Sequence, residues 1–409
     1  MKELIVCCCT LLLLTAACGA GTPASKPVKL GVDVLVSDPP PLIQGKRLGL
    51  ITNATGLTSG HESTIDALRR LPGIQLVALF GPEHGVRGDA EAGAAVEGYV
   101  DARSGIRVFS LYGRNHKPTP EMLEGVDVLL YDIQDIGSRP YTYIYTMAHG
   151  MEAAKENGIP FVVLDRPDPL GGMLVEGPVL DPRFRSGIGL YPIPYVYGLT
   201  AGELARLFNE EFGIHCDLSV VAMEGWRRGM AFEETGLMWV PTSPHIPQAQ
   251  SVRHCAAVGS IGELHQVDVG VGMPGPFEYA GAPWITAEEL AGELNGRNLP
   301  GVFFRPLHYT PFYGTFKGVK LQGVQIHILD PVRFQPVAVQ IHILCALQKL
   351  YPERNIYDTS RIDMFNKAMG TDRVWKQICA GAGAEEIIAS WQNGLQQFEP
   401  LRQKYLLYR

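Results

Sequence analysis

Glu83 is the residue in this chain best placed to move a proton. It stands in Gly81-Pro82-Glu83-His84-Gly85-Val86-Arg87-Gly88, directly after an apolar run from Gln75 to Phe80. Glycine and proline hold such a loop tight and let a ligand approach the backbone. A glutamate there works as general acid or base if partial burial raises its pKa, and His84 is a second titrating group in the same loop. The blander alternative is a Glu83–Arg87 pair that only braces the loop. A second group lies between Asp132 and Tyr143. It offers two carboxylates, Asp132 and Asp135, with Arg139, Tyr141 and Tyr143. Tyrosines suit the face of a sugar while bonding its hydroxyls, and the planar fork of an arginine suits a carboxylate. Here the alternative is a helix cap with core aromatics. A third group, Asp165-Arg166-Pro167-Asp168 with Glu176 behind it, reads equally well as a fastened turn or as part of a site.

The elements that would position these groups are strands. Arg47 to Thr52, Gln75 to Phe80, Ile106 to Leu111, Val126 to Tyr131 and Phe161 to Leu164 are near-continuous apolar runs. Such runs read as strands buried on both faces, which means a parallel sheet. Each ends at a polar residue: Asn53, Glu83, Tyr112, Asp132 with Asp135, and Asp165-Arg166. In an open parallel α/β sheet, ligands bind outside the carboxyl ends of the strands, so these side chains are expected to meet at one cleft. Helical patterns at Glu62 to Leu71, Thr119 to Glu124 and Ile144 to Asn157 alternate with the strands. The fold class is α/β, with a Rossmann-like domain over 28–180. A smaller α+β domain over 181–409 follows, and a cleft lies between the two. Thr200-Ala201-Gly202-Glu203 and Thr286-Ala287-Glu288-Glu289 are capping-box signatures in the second half, and Val319 to Asp330 alternates like a strand.

Composition narrows the class. The chain has 409 residues, 46% hydrophobic and 19% charged, which fits a globular protein long enough for two domains. A net charge of −7 argues against a nucleic-acid partner. Residues 1–17 read as a signal peptide: a short apolar stretch, Leu4 to Leu14, ends in Thr15-Ala16-Ala17-Cys18. Cleavage before Cys18 would leave a cysteine for lipid attachment, with 18–27 as a flexible tether. An ordinary signal peptide cleaved nearby is the alternative. Four cysteines remain in the mature chain: Cys216, Cys255, Cys345 and Cys379. They either pair after export or stay as buried thiols. No metal is expected from the spacing of histidines and cysteines. No cofactor is expected either, because Gly381-Ala382-Gly383-Ala384 follows a helix and lacks the third glycine of a dinucleotide fingerprint.

Leu50 to Gly56, Gly81 to Gly88, Tyr131 to Tyr143, Leu164 to Gly172 and Gly281-Ala282-Pro283-Trp284 occur in an order that resembles the bacterial exo-β-N-acetylmuramidases of the NamZ type. The resemblance spans nearly all of the mature chain. It implies a glycoside hydrolase acting on peptidoglycan in a cleft between two domains, with the family glutamate at Glu83. One motif departs. Family members carry Ser-Glu-Gly-Arg-Gly before Pro-Phe-Glu, whereas here Asp268-Val269-Gly270-Val271-Gly272 precedes Pro276-Phe277-Glu278.

The expected function is an exported, lipid-anchored glycosidase that releases N-acetylmuramic acid from cell-wall fragments. Glu83 would be the proton donor, with Asp132 or Asp135 as its partner. Arg87 and Arg139 are candidates for the lactyl carboxylate. Asn53, Tyr141, Tyr143, Asp165, Arg166, Glu176 and Glu278 are candidates for the remaining substrate contacts. The replacements at Val269 and Val271 motivate an alternative, a non-catalytic glycan-binding lipoprotein. A third reading, an ester or amide hydrolase using His84, has no Gly-x-Ser-x-Gly elbow to support it.

Overall fold

A computed structural model of the chain describes residues 27–83, 85–88, 98–113 and 115–409. The first domain is a seven-stranded sheet. In chain order its strands are β1 (Arg47–Thr52), β2 (Gln75–Gly81), β3 (Tyr99–Val100), β4 (Arg107–Ser110), β5 (Val128–Asp132), β6 (Phe161–Leu164) and β7 (Leu218–Val221). They lie side by side as β3-β4-β2-β1-β5-β6-β7. Only β3, antiparallel to β4, breaks the parallel pattern. Every residue of β5 and β6 is buried. Both faces are covered, which is why these strands carry apolar side chains in unbroken runs.

The order in which the chain adds strands reverses between β1 and β5, which pair in parallel from Leu48↔Val128 to Thr52↔Asp132. This is the switch point at which a doubly wound sheet leaves a crevice at its carboxyl edge. Asn53 follows β1, the Glu83 loop follows β2, and Gln134 and Asp135 follow β5.

The sheet extends beyond residue 180, the boundary expected from the alternation of strand and helix patterns. The helix Ala201–Glu211 and β7 belong to it, because β7 pairs with β6 along its whole length. The chain end also returns to this domain. Tyr408 donates its hydroxyl to Asp165 at 2.6 Å and accepts from the Met223 N–H at 2.9 Å.

The second domain holds an antiparallel sheet, with β8 (Tyr279–Ala282) and β9 (Val302–Tyr309) on either side of β10 (Leu321–Ile328). Helices Ser251–Gly262, Ala287–Asn295 and Pro336–Leu350 pack with it, and Val324, Ile326, Phe304, Ile341 and Leu344 share one apolar core. Two local expectations fail. From Thr119 to Glu124 the chain forms hydrogen-bonded turns rather than a helix. Thr286 precedes its helix without bonding it, although Thr200 does accept from Glu203 N as a cap. Cys216, Cys255, Cys345 and Cys379 are free thiols.

Candidate active site at the carboxyl edge of the sheet

The loop after β2 folds back on its own strand. A Cβ on Gly81 would lie 3.0 Å from Val86 N, and Gly85 has φ +70°, so both positions need glycine. This turn leaves Glu83 half-buried at the crevice. Tyr112, just past β4, lies beside Glu83; burial first, and then the Glu83 charge, raise the pKa of its phenol.

Beside Glu83 runs a chain of neutral polar groups. Asn53 uses its carbonyl to accept from Thr55 N–H at 2.9 Å and Thr55 Oγ1 at 2.5 Å, which fixes its amide. That amide lies beside the Tyr143 hydroxyl. Tyr143 donates to the Thr242 carbonyl at 2.7 Å, and Tyr141 donates to Thr242 Oγ1 at 2.8 Å. The two tyrosine rings meet edge to face at 4.9 Å. Burial raises the Tyr143 phenol, with the charges of Glu83 and Asp135 adding to it. The arrangement joins the strand ends of β1 and β2 to the loop before the helix Ser251–Gly262. It offers a carboxyl group, phenols, an amide and a threonine hydroxyl.

Several expected site residues are committed elsewhere. Asp132 is fully buried in a bidentate pair with Arg166, at 2.6 and 2.9 Å, and accepts from Thr64 Oγ1 at 2.5 Å. Both of its oxygens are occupied, so it cannot hold the attacking water. Arg166 also donates from Nη2 to the Leu57 carbonyl at 2.8 Å. Arg87 does not pair with Glu83, and it is not waiting for a substrate carboxylate either. Its fork grips Asp101 at 3.0 and 2.9 Å and holds that carboxyl well below the usual range. Arg139 is fully buried and donates to the Ala368 and Lys367 carbonyls at 3.1 and 3.5 Å. It neutralises the negative end of the helix Ile362–Met369.

Asp165 accepts from Thr200 Oγ1, Gly202 N and Tyr408, which ties the start of the helix Ala201–Glu211 to the end of β6; burial pushes its carboxyl up to about 6. Glu176 accepts from Val337 N and Ala338 N in the first turn of Pro336–Leu350, so it caps a helix 160 residues away. Glu278 accepts from Gln325 Nε2 at 3.0 Å on the antiparallel sheet. His84 and Cys18 lie outside the described residues.

Asp135 occupies an intermediate position. One oxygen accepts from Gly137 N at 2.8 Å and from the Tyr197 hydroxyl. The other is buried and bonds nothing among the described residues. Burial raises this carboxyl to about 6. Asp168, close enough to feel its charge, is likewise raised by burial and also has one unbonded oxygen. Asp135 acts on Tyr143 through its charge and does not open to the crevice. Among the described residues no cluster of three or more His, Cys, Asp or Glu side chains forms a metal-binding set.

Tyr112 and Thr242 are the site members to which sequence reasoning gave no role. Tyr112 was marked only as a strand end. Thr242 sits in Pro241-Thr242-Ser243-Pro244-His245-Ile246-Pro247, whose three prolines are the available sign of a fixed loop.

Residues 48–250 match the family described as Exo-beta-N-acetylmuramidase NamZ, N-terminal, and residues 257–408 match Exo-beta-N-acetylmuramidase NamZ, C-terminal. A Bacillus subtilis protein named peptidoglycan beta-N-acetylmuramidase NamZ is 48% identical over 386 residues, covering 94% of this chain and 92% of its own. Two crystal structures of DUF1343 family proteins from Bacteroides fragilis share the fold. One has a TM-score of 0.89 and 44% identity, covering 94% of this chain and 99% of its own. The other has a TM-score of 0.74 and 27% identity, covering 93% and 99%. With both halves matched and a relative this close along nearly its whole length, the chain belongs to the NamZ exo-β-N-acetylmuramidase family.

Proposed function

We propose that this protein is a glycosidase that releases terminal N-acetylmuramic acid from peptidoglycan fragments, with Glu83 as proton donor to the leaving oxygen. The observation that carries this reading is the setting of Glu83. It is half-buried at the crevice beside Tyr112, and its charge reaches Tyr143 of the Asn53–Tyr143–Thr242 group. A positioned carboxyl acid is what cleavage of a glycosidic bond needs, and the neighbouring amide and hydroxyls suit the hydroxyls of a sugar.

Asp132, tied up by Arg166 and Thr64, drops out as the partner carboxylate. Asp135 contributes charge from beneath. Val269 and Val271 stand where the family carries charge. Val269 is buried against Gly262, and Val271 packs on the core of the second domain. The replacements therefore bear on recognition and leave the Glu83 constellation intact, which favours an enzyme over a glycan-binding protein without activity.

We also infer that 1–17 is a leader and that Cys18 carries lipid. The enzyme would then work on the exported side of a membrane. The support is the Thr15-Ala16-Ala17-Cys18 pattern after an apolar stretch.

The activity is tested by incubating the purified protein with a chromogenic N-acetylmuramic acid glycoside and with muropeptides, and identifying products by mass. Free N-acetylmuramic acid is the expected product. Binding of muropeptides without any release would favour the binding protein instead.

A further inference from the structure

Two aromatic side chains stand in the open beside this site. Phe312 is 66% exposed and Tyr313 56% exposed, next to each other on the turn between β9 and β10. Leaving two such rings in water forgoes about 1.5–3 kcal/mol for a ring the size of Phe312. The turn that presents them is nevertheless fixed. Phe312 N–H donates to the Gly272 carbonyl at 3.0 Å, and Gly318 N–H closes the turn on the Pro311 carbonyl at 2.8 Å. Gly272 lies so close to the backbone of Tyr313 that a Cβ there would come within 2.2 Å of its carbonyl oxygen. The Tyr313 ring also stacks on His245, with centroids 6.0 Å apart and planes at 27°.

His245 connects the rings to the site. It is three residues beyond Thr242, which receives the hydroxyls of Tyr141 and Tyr143. Three residues span at most about 10 Å, and the Tyr313 ring lies a further 6.0 Å from the His245 ring, so the rings are within reach of a glycan of a few sugars held at the Asn53–Tyr143–Thr242 group. We propose that Phe312 and Tyr313 form a stacking platform for the glycan chain on the far side of the bond that is cut. This rests on the muramidase reading above. An exo-acting enzyme holds one terminal sugar beside its acid and must place the rest of the polymer somewhere. Exposed ring faces on a hydrogen-bonded turn, linked to the site through His245, fit the apolar face of a pyranose.

A second copy of the chain fits this patch less well. Two aromatic side chains bury about 150–250 Å² each, well short of the roughly 1,000 Å² that a specific interface needs.

The test compares two substrates on the wild type, on the double variant Phe312→Ala/Tyr313→Ala, and on Tyr313→Trp. One substrate is the chromogenic monosaccharide glycoside of N-acetylmuramic acid, and the other is a peptide-free glycan of at least four sugars. In the double variant, the ratio of kcat/KM for the long glycan to that for the monosaccharide should fall at least about tenfold, through KM of the long substrate. Tyr313→Trp, which keeps a stacking face, should hold the ratio near the wild-type value. Equal losses on both substrates, or no loss on either, would overturn the platform. So would a loss confined to peptide-bearing glycans, which would make the stem peptide the occupant, or dimers of the wild type that the double variant dissolves in sedimentation. If the wild type cleaves neither substrate, it is the muramidase reading that fails. The platform is then judged by tetrasaccharide binding, expected to weaken in the double variant and refuted if it does not.

Discussion

The carboxyl groups at the strand ends look alike in sequence and do different things in the fold. Glu83 faces the crevice, Asp132 is neutralised by an arginine, and Asp135 is buried with one oxygen unbonded. Burial raises Asp135 from its ordinary 3.8 to about 6. A carboxyl raised in this way binds its proton more tightly in the folded state than in the unfolded one. Its stabilising contribution is full below about pH 4 and is lost as the pH rises through 6. The difference amounts to about 3 kcal/mol. Wild-type stability should therefore drop by about that much relative to Asp135→Asn between pH 4 and pH 7, as read by denaturant titration at each pH. Asp168 feels the Asp135 charge, so the comparison reads the titration of the pair. Parallel pH profiles for the two proteins would contradict the assignment.

Between elements, the polar residues at strand ends act mainly as ties. The Asp132–Arg166 pair joins the end of β5 to the segment after β6, and Thr64 adds the helix that follows β1. Leaving a buried arginine without its carboxylate costs about 3–5 kcal/mol. Asp132→Asn should lose about that much stability in denaturant titration, while turnover per folded molecule persists. Unchanged stability with abolished turnover would return Asp132 to the chemistry. The strands themselves were legible in the sequence, because a run buried on both faces must be apolar throughout; β1 and β6 begin and end where the runs do. The roles of their terminal residues were not legible. Each depends on a partner that folding brings from far along the chain. Arg139 finds its acceptors at Lys367 and Ala368, and Glu176 finds its donors at Val337 and Ala338. Glu83 was legible because a local pattern, glycines around one carboxyl after a buried strand, is enough to place it. Thr242 was not, because its link to Tyr141 and Tyr143 spans about a hundred residues and leaves no local periodicity. The boundary at 180 failed for a related reason. The short strand β7 is half-exposed along its length and lacks the apolar run that marks the others.

At the scale of the whole molecule, two domains of different architecture enclose one crevice. The first carries Glu83 at a strand end, and its Tyr141 and Tyr143 hold the loop at Thr242 that leads into the helices of the second. The lipid anchor proposed at Cys18 would set where this machine works. Cys18→Ala should move the protein from the membrane to the soluble fraction after cell fractionation, and unchanged partition would refute the anchor. Tethering a polymer-degrading enzyme at a surface leaves its chemistry untouched, so the released variant should keep its turnover.

The most direct test of the account is turnover by Glu83→Gln. Glutamine keeps the shape of the side chain and removes the proton that protonates the leaving oxygen. General acid–base groups contribute on the order of 10² to 10⁴ in rate. The account predicts a fall of about that size in kcat on the chromogenic N-acetylmuramic acid glycoside, with denaturant stability and glycan binding near those of the wild type. Near-normal turnover in Glu83→Gln would contradict it, and would mean that another group at the crevice delivers the proton.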